Sequence, residues 1–277
     1  MAWLLIIFES ILLLGFTILD LVDSIRFLWL SSGLKYAGIL LCVFFLTGRF
    51  LMIRWGKGSR ESVQKTRYAF VPVRSDQLLL LSALCFTATA DLLLLFFPRA
   101  YLVGVCLFIP VQIIYLIRIL WAERIAFGRS LVFPAIFLRT AFFISSLLAL
   151  SHMGISDGIT RMALFYFGNL LLNGLHSVIL LWKMLRLSEA ERKIPLRSVC
   201  LFTVGLLLFL GCDLSVGLWN LPKEIGEVPA ALHMVNLIAM WAFYLPSQVC
   251  LTLSGTGEVI CFGGKDPGHD DSRKTEK

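Results

Sequence analysis

The sequence predicts an all-α integral membrane protein, a bundle of about eight transmembrane helices with both termini cytoplasmic. Three observations predict it. Of the 277 residues, 58% are hydrophobic and only 16% are charged, and the mean hydropathy is +0.84. That balance lies far from the composition of a soluble domain. Apolar runs near the roughly 20-residue length that a bilayer core demands recur along almost the whole chain, leaving no room for a separate soluble domain. The third observation is the placement of the basic residues, which alternates from one inter-run segment to the next.

The predicted helices run over residues 2–22, 33–53, 77–97, 100–121, 130–151, 162–184, 198–219 and 232–253. The first run lacks a basic leading segment and is interrupted or closely followed by Glu9, Asp20 and Asp23, so it reads as a retained span and not as a signal peptide. Pro98, Gly128, Pro195 and Pro222 punctuate the later junctions. Residues 1–253 thus form one transmembrane domain. The remainder, 254–277, contains "GGKDPGHDDSRKTEK", polar and rich in turn formers, and reads as a disordered tail.

With the N-terminus inside, residues 49–76, 118–130, 183–197 and the tail hold 19 of the 25 Lys and Arg residues. The opposite loops hold Arg26, Lys35, Arg99, Arg161 and Lys223, and Arg139 lies within the fifth helix. Basic residues near span ends resist translocation, so this alternation supports an even number of spans. The net charge of +7 therefore reports topology, not a nucleic-acid partner. The membrane is the plasma (inner) membrane if the source is bacterial and an endomembrane if it is eukaryotic.

Seven scattered cysteines form no CxxC pair and read as small apolar residues, not as a disulfide framework or a zinc site. His269 and its neighbouring aspartates in the tail are not read as a metal site. GxGxxG, P-loop and HExxH motifs are all absent.

The informative residues are the polar ones at membrane depth. A carboxylate there costs on the order of 3 kcal/mol by insertion scales, so an intramembrane acid is a functional candidate that should face the bundle interior. Asp91, in "TATADLLLLF", and Asp213, in "LFLGCDLSVGLWN", are such acids. Both fall at about the same depth on helices that run the same way. Asp20, Lys35, Asn169, Asn173, His233 and Asn236 share that level, with Gln112 and Tyr115 deeper in the fourth helix and Tyr244 and Gln248 along the eighth. Together they are expected to line one polar pocket. For Asp20, Asp23, Lys35 and His233 the competing expectation is solvation at the interface. For Asn169, Asn173 and Gln248 it is helix–helix hydrogen bonding, and for His176 and Glu9 a structural or interfacial place.

Two carboxyl groups in a low-dielectric pocket do not readily ionise together, so one holds a proton while the other is charged. Such a pair suits hydrolysis through an oxocarbenium-like cation, as in vinyl ether cleavage, and equally suits a proton-coupled transporter.

The segments "LKYAGILLCVFF", "ALCFTATADLLLLF", "YLVGVCLFIPVQIIYL", "GCDLSVGLWNL" and "WAFYLPSQVCLTLS" resemble the YhhN family of eight-helix membrane proteins, which includes lysoplasmalogenases. The resemblance is that of a divergent member and spans Lys35 to about Leu253. Family elements match Lys35 opening the second helix, Ala90 and Asp91 in the third, and Gly104, Phe108, Gln112 and Tyr115 in the fourth. Cys212 and Asp213 match in the seventh, and Tyr244 and Gln248 in the eighth. The departures are Tyr36 for a proline, Ala90 for glycine, Cys212 for serine and Gln112 for histidine. Glutamine hydrogen-bonds but does not exchange a proton near neutrality.

The resemblance implies hydrolysis of the vinyl ether bond of a lysoplasmalogen to a fatty aldehyde and a glycerophospho-base. Asp91 and Asp213 would be the catalytic acid–base pair, and Lys35 would meet the phosphate. Gln112, Tyr115, Tyr244, Gln248 and Asn173 would bind substrate or orient water. It implies a lysophospholipid or other small lipid as partner and neither a metal nor an organic cofactor, and it leaves head-group preference and oligomeric state open. The alternatives are a lipid-binding or transporter-like protein of the same fold that has lost the chemistry, and a scaffold whose acids serve helix packing.

Overall fold

Among the described residues the chain is organised by eight α-helices, each long and apolar enough to cross a membrane. The computed structural model describes residues 2–23, 26–55, 73–128, 131–154, 158–220 and 230–256. The helices are α1 (Ala2–Asp23), α2 (Leu28–Arg54), α3 (Val73–Phe96), α4 (Tyr101–Phe127), α5 (Val132–His152), α6 (Gly158–Leu185), α7 (Leu196–Asn220) and α8 (Ala230–Ser254). Short 3₁₀ turns at Pro98–Ala100 and Glu189–Glu191 join α3 to α4 and α6 to α7. No strand occurs among the described residues. Most of the tail, including His269, lies outside them, as do Lys223 and the side chains of Asp23 and His233.

Three of the helices that depart from their expected bounds do so for one physical reason. The start of α2 reaches back to Leu28, that of α3 to Val73, and α4 continues to Phe127, because polar residues read as span ends are satisfied by neighbouring helices. Arg118 is the clearest case. Counted with the inside segment 118–130 at the end of the predicted helix, it is fully buried in α4, bound to both carboxylate oxygens of Asp76 at 2.6 and 2.9 Å and to Ser254 Oγ at 3.1 Å. Glu123 is held likewise by His176 and Lys183 of α6, each at 3.0 Å. The fourth helix ends where Gly128 adopts φ +68°, a left-handed cap whose N–H bonds to Arg124 O.

Six helices close into a ring: α2 packs on α3, α3 on α4, α4 on α6, α6 on α7, α7 on α8, and α8 returns to α2. Lipid offers no hydrophobic drive for helix association, so close packing and polar ties must hold the ring. Glycine supplies the closest approach: a Cβ on Gly205 would lie 3.1 Å from the Leu251 backbone nitrogen, which seats α7 against α8. The interior is filled by Ile39, Leu84, Val111, Ile119, Phe202 and Leu206.

Two helices stand outside the ring. α1 lies over the junction of α2 and α8 and touches both, while α5 packs on α6 and buries only Ala135. Beyond the end of α8, Gln77 donates to Gly255 O and Arg49 to Thr256 O. Outside the spans, the hydroxyl and N–H of Ser188 donate to Glu191, holding that exposed carboxyl below its ordinary range.

Candidate functional site

Asp91 and Asp213 lie towards the same end of the bundle. Asp91 precedes the end of α3 at Phe96 by about 7 Å and Asp213 precedes the end of α7 at Asn220 by about 10 Å, at 1.5 Å per residue. The matched depth read from the sequence is therefore present in the helices themselves.

Each carboxylate meets a tyrosine hydroxyl. Tyr244, on α8, donates to Asp91 Oδ2 at 2.5 Å across the ring from α3. Tyr166, on α6, has its hydroxyl facing Asp213 without closing a well-formed hydrogen bond. Cys212 lies within electrostatic reach of both carboxylates. The two Tyr–Asp pairs are therefore parts of one constellation drawn from α3, α6, α7 and α8.

Aromatic rings join the pairs. Tyr166 stacks near Phe108 at 5.4 Å between centroids, Phe108 meets Phe209 at 5.8 Å, and Phe209 meets Tyr244 at 5.8 Å. The series continues from Tyr244 to Trp241 at 5.5 Å and from Trp241 to Phe16 at 5.8 Å. Water is thereby largely excluded, which strengthens every electrostatic contact within the layer.

Lys35 belongs to the same layer but not as a solvated interface residue. It is buried, paired with Asp20 at 2.7 Å, and its ammonium lies 4.9 Å from the Trp241 ring centroid and 5.5 Å from that of Phe16. Asp20 is buried too and also accepts from Ser31 at 2.5 Å. The interface expectation for both residues is thus corrected: a buried cation requires a partner, and each supplies the other.

The remaining expected site residues divide among other places, so a single polar pocket does not describe them. Asn173 donates to the carbonyl of Gln112 at 2.9 Å and to its side-chain oxygen at 3.0 Å, and accepts from Arg139 at 2.6 Å. This network ties α4, α5 and α6 and gives Arg139, at membrane depth, a neutral amide oxygen as acceptor beside the Ala135 carbonyl. Tyr115 lies deeper and fully buried, its ring against Phe202 at 5.7 Å. Gln248 donates to Ser247 at 3.3 Å. Asn169 bonds to Phe165 O of its own helix, and Asn236 is buried near the start of α8. Glu9 is buried against α2, accepting from Cys42 at 3.4 Å.

The sequence reading missed Tyr166, Trp241, Phe16 and Ser31. Aromatic residues in "LFYFG" or "MWAFY" read as core, and nothing in one chain marks a tyrosine hydroxyl as facing an acid from another helix. The groups present are two acids, their phenols and a lysine, with no metal-holding cluster among the described residues. Comparisons of the chain with family models, curated proteins and solved structures find no match, so its chemistry is read from this geometry.

Proposed function

We propose that the protein is a membrane-embedded hydrolase of the lysoplasmalogenase type, cleaving the vinyl ether bond of a lysoplasmalogen to a fatty aldehyde and a glycerophospho-base. The observation that carries this reading is the pair of carboxyls, Asp91 and Asp213, each set against a tyrosine hydroxyl and both within reach of Cys212 in one aromatic-walled layer.

Their surroundings divide the roles. A hydrogen bond donated to a carboxylate favours its charged form, so Asp91, which receives one from Tyr244, is the base. Asp213, whose Oδ2 is buried without such a bond among the described residues, is the acid. The Asp213 proton goes to the vinyl carbon β to the ether oxygen, and the oxygen-stabilised cation forms at the carbon bonded to that oxygen, beside the Asp91 carboxylate. Asp91 takes a proton from water as the water oxygen bonds to the cationic carbon. The hemiacetal then collapses to aldehyde and the glycerol hydroxyl, and a proton moves back from Asp91 to Asp213. Lys35 faces the phosphate.

A second reading, a lipid-binding or transporter-like protein, is favoured by Gln112, whose side chain is committed to Asn173 and carries no exchangeable proton near neutrality. Aldehyde release from lysoplasmalogen by the purified protein decides between them. Wild-type release that falls at least about 100-fold in Asp91→Asn and in Asp213→Asn supports the acid–base pair. A wild type that releases none removes the hydrolase reading.

A further inference from the structure

The carboxyls lie within the ring of helices, so a lipid that enters sideways from the bilayer must pass between two helices to reach them. Among the described residues, the slightest contact in the ring is that between α2 and α8, and this is the junction over which α1 lies. α1 packs on these two helices, and most of its surface is lipid-facing. Behind it runs the line Phe16, Trp241, Tyr244, Asp91, a continuous side-chain connection from α1 to a carboxyl.

The ties holding α1 are polar and unusual at this depth. Near one end Asp20 binds Lys35 and Ser31 of α2. Further along, Glu9 takes a bond from Cys42, and its Oε2 is buried with no partner among the described residues. That oxygen sits at the place where three helices meet, since a Cβ on Gly38 would lie 2.9 Å from Glu9 Oε2 and 2.5 Å from Leu245 Cδ1. Besides the apolar contacts of Leu5 and Phe16, α1 is thus seated by an exchangeable ion pair and a half-satisfied acid, ties weaker than a fully satisfied polar network.

We infer that α1 is a lateral lid over the α2–α8 junction, latched by Asp20 on Lys35 and released when the phosphate of a lipid headgroup takes the lysine from Asp20. The exchange trades one buried ion pair for another, so the lysine is never left unpaired as the lid moves. The phosphate's part rests on the hydrolase reading above, whereas the lid itself does not.

Cys212, buried and within electrostatic reach of both carboxylates, is a built-in reporter of opening. In a variant whose other cysteines are serine, Gly15→Cys and Leu34→Cys join α1 to α2, because a Cβ on Gly15 would lie 3.7 Å from Leu34 Cδ1. This pair is bridged with a reducible bis-methanethiosulfonate in maltoside micelles, and the rate at which N-dodecylmaleimide modifies Cys212 is read by intact mass. The protein lacking the added pair, treated identically, controls for capping of Cys212 itself.

The bridge is expected to slow modification at least about ten-fold, since a minor open state carries the reaction, and reductant to restore it in the same sample. Asp20→Asn should speed modification. An alkyl lysophospholipid, whose saturated ether resists this cleavage, should speed it in the unbridged protein, while a monoalkylglycerol should not. Equal rates in bridged and reduced protein overturn the lid. Equal acceleration by the two lipids overturns the phosphate release. If modification follows the bridge while wild type releases no aldehyde, the lid stands and the hydrolase reading falls.

Discussion

The phenol of Tyr244 donates to the carboxylate of Asp91 at 2.5 Å, joining residues 153 positions apart on helices α8 and α3. A hydrogen bond to a charged group contributes roughly 1.5–3 kcal/mol. Tyr244→Phe is therefore expected to lower kcat for aldehyde release by about 10- to 100-fold, with KM changed far less. Steady-state kinetics check this, and unchanged kcat would remove Tyr244 from the mechanism.

Tyr166 makes a contrasting case, because its buried hydroxyl has no hydrogen-bond partner among the described residues. Removing an unsatisfied buried hydroxyl is neutral or stabilising, by up to about 1–3 kcal/mol. Tyr166→Phe should thus keep or raise the thermal midpoint in detergent while lowering activity through Asp213. A fall in both would place Tyr166 among the structural residues.

The Arg118–Asp76 pair, with neither side chain exposed, should behave as a buried ion pair. Breaking it from one side, as in Asp76→Leu or Arg118→Met, is expected to cost about 3–5 kcal/mol, whereas the double change Asp76→Leu with Arg118→Met should recover most of that loss. Thermal unfolding of the three variants measures the coupling, and additive losses would contradict it.

Gln112 offers a gain-of-chemistry test. Gln112→His keeps a ring nitrogen as acceptor for the Asn173 amide and adds a group that titrates near pH 6.5. The pH–rate profile of this variant is expected to acquire a limb between about pH 6 and 7 that wild type lacks. A superimposable profile would mean that position 112 does not communicate with the acids.

Eight spans and the two acids were legible in the chain, because burying twenty-residue apolar runs and isolating a carboxylate in lipid are properties of consecutive residues and need no partner to be recognised. The limits of α2, α3 and α4 were not. Lys35, Asp76, Arg118 and Glu123 look like span ends in one dimension and are interior residues in three, since each is neutralised by a side chain on another helix. The helix–helix hydrogen bonding expected of Asn173 is present, but its partners Gln112 and Arg139 were hidden for the same reason.

What the sequence determined by itself is the solvent this protein folds in and the depth of Asp91 and Asp213, through hydropathy and helical rise. Tertiary structure decided which polar groups face one another: Tyr244 on Asp91, Tyr166 towards Asp213, Asp20 on Lys35 beneath Trp241. Such pairings depend on the rotation of each helix about its axis and on which helices close the ring. Both are set by packing between segments distant in sequence, where lipid removes the amphipathic stripe that would mark the inward face of a soluble helix.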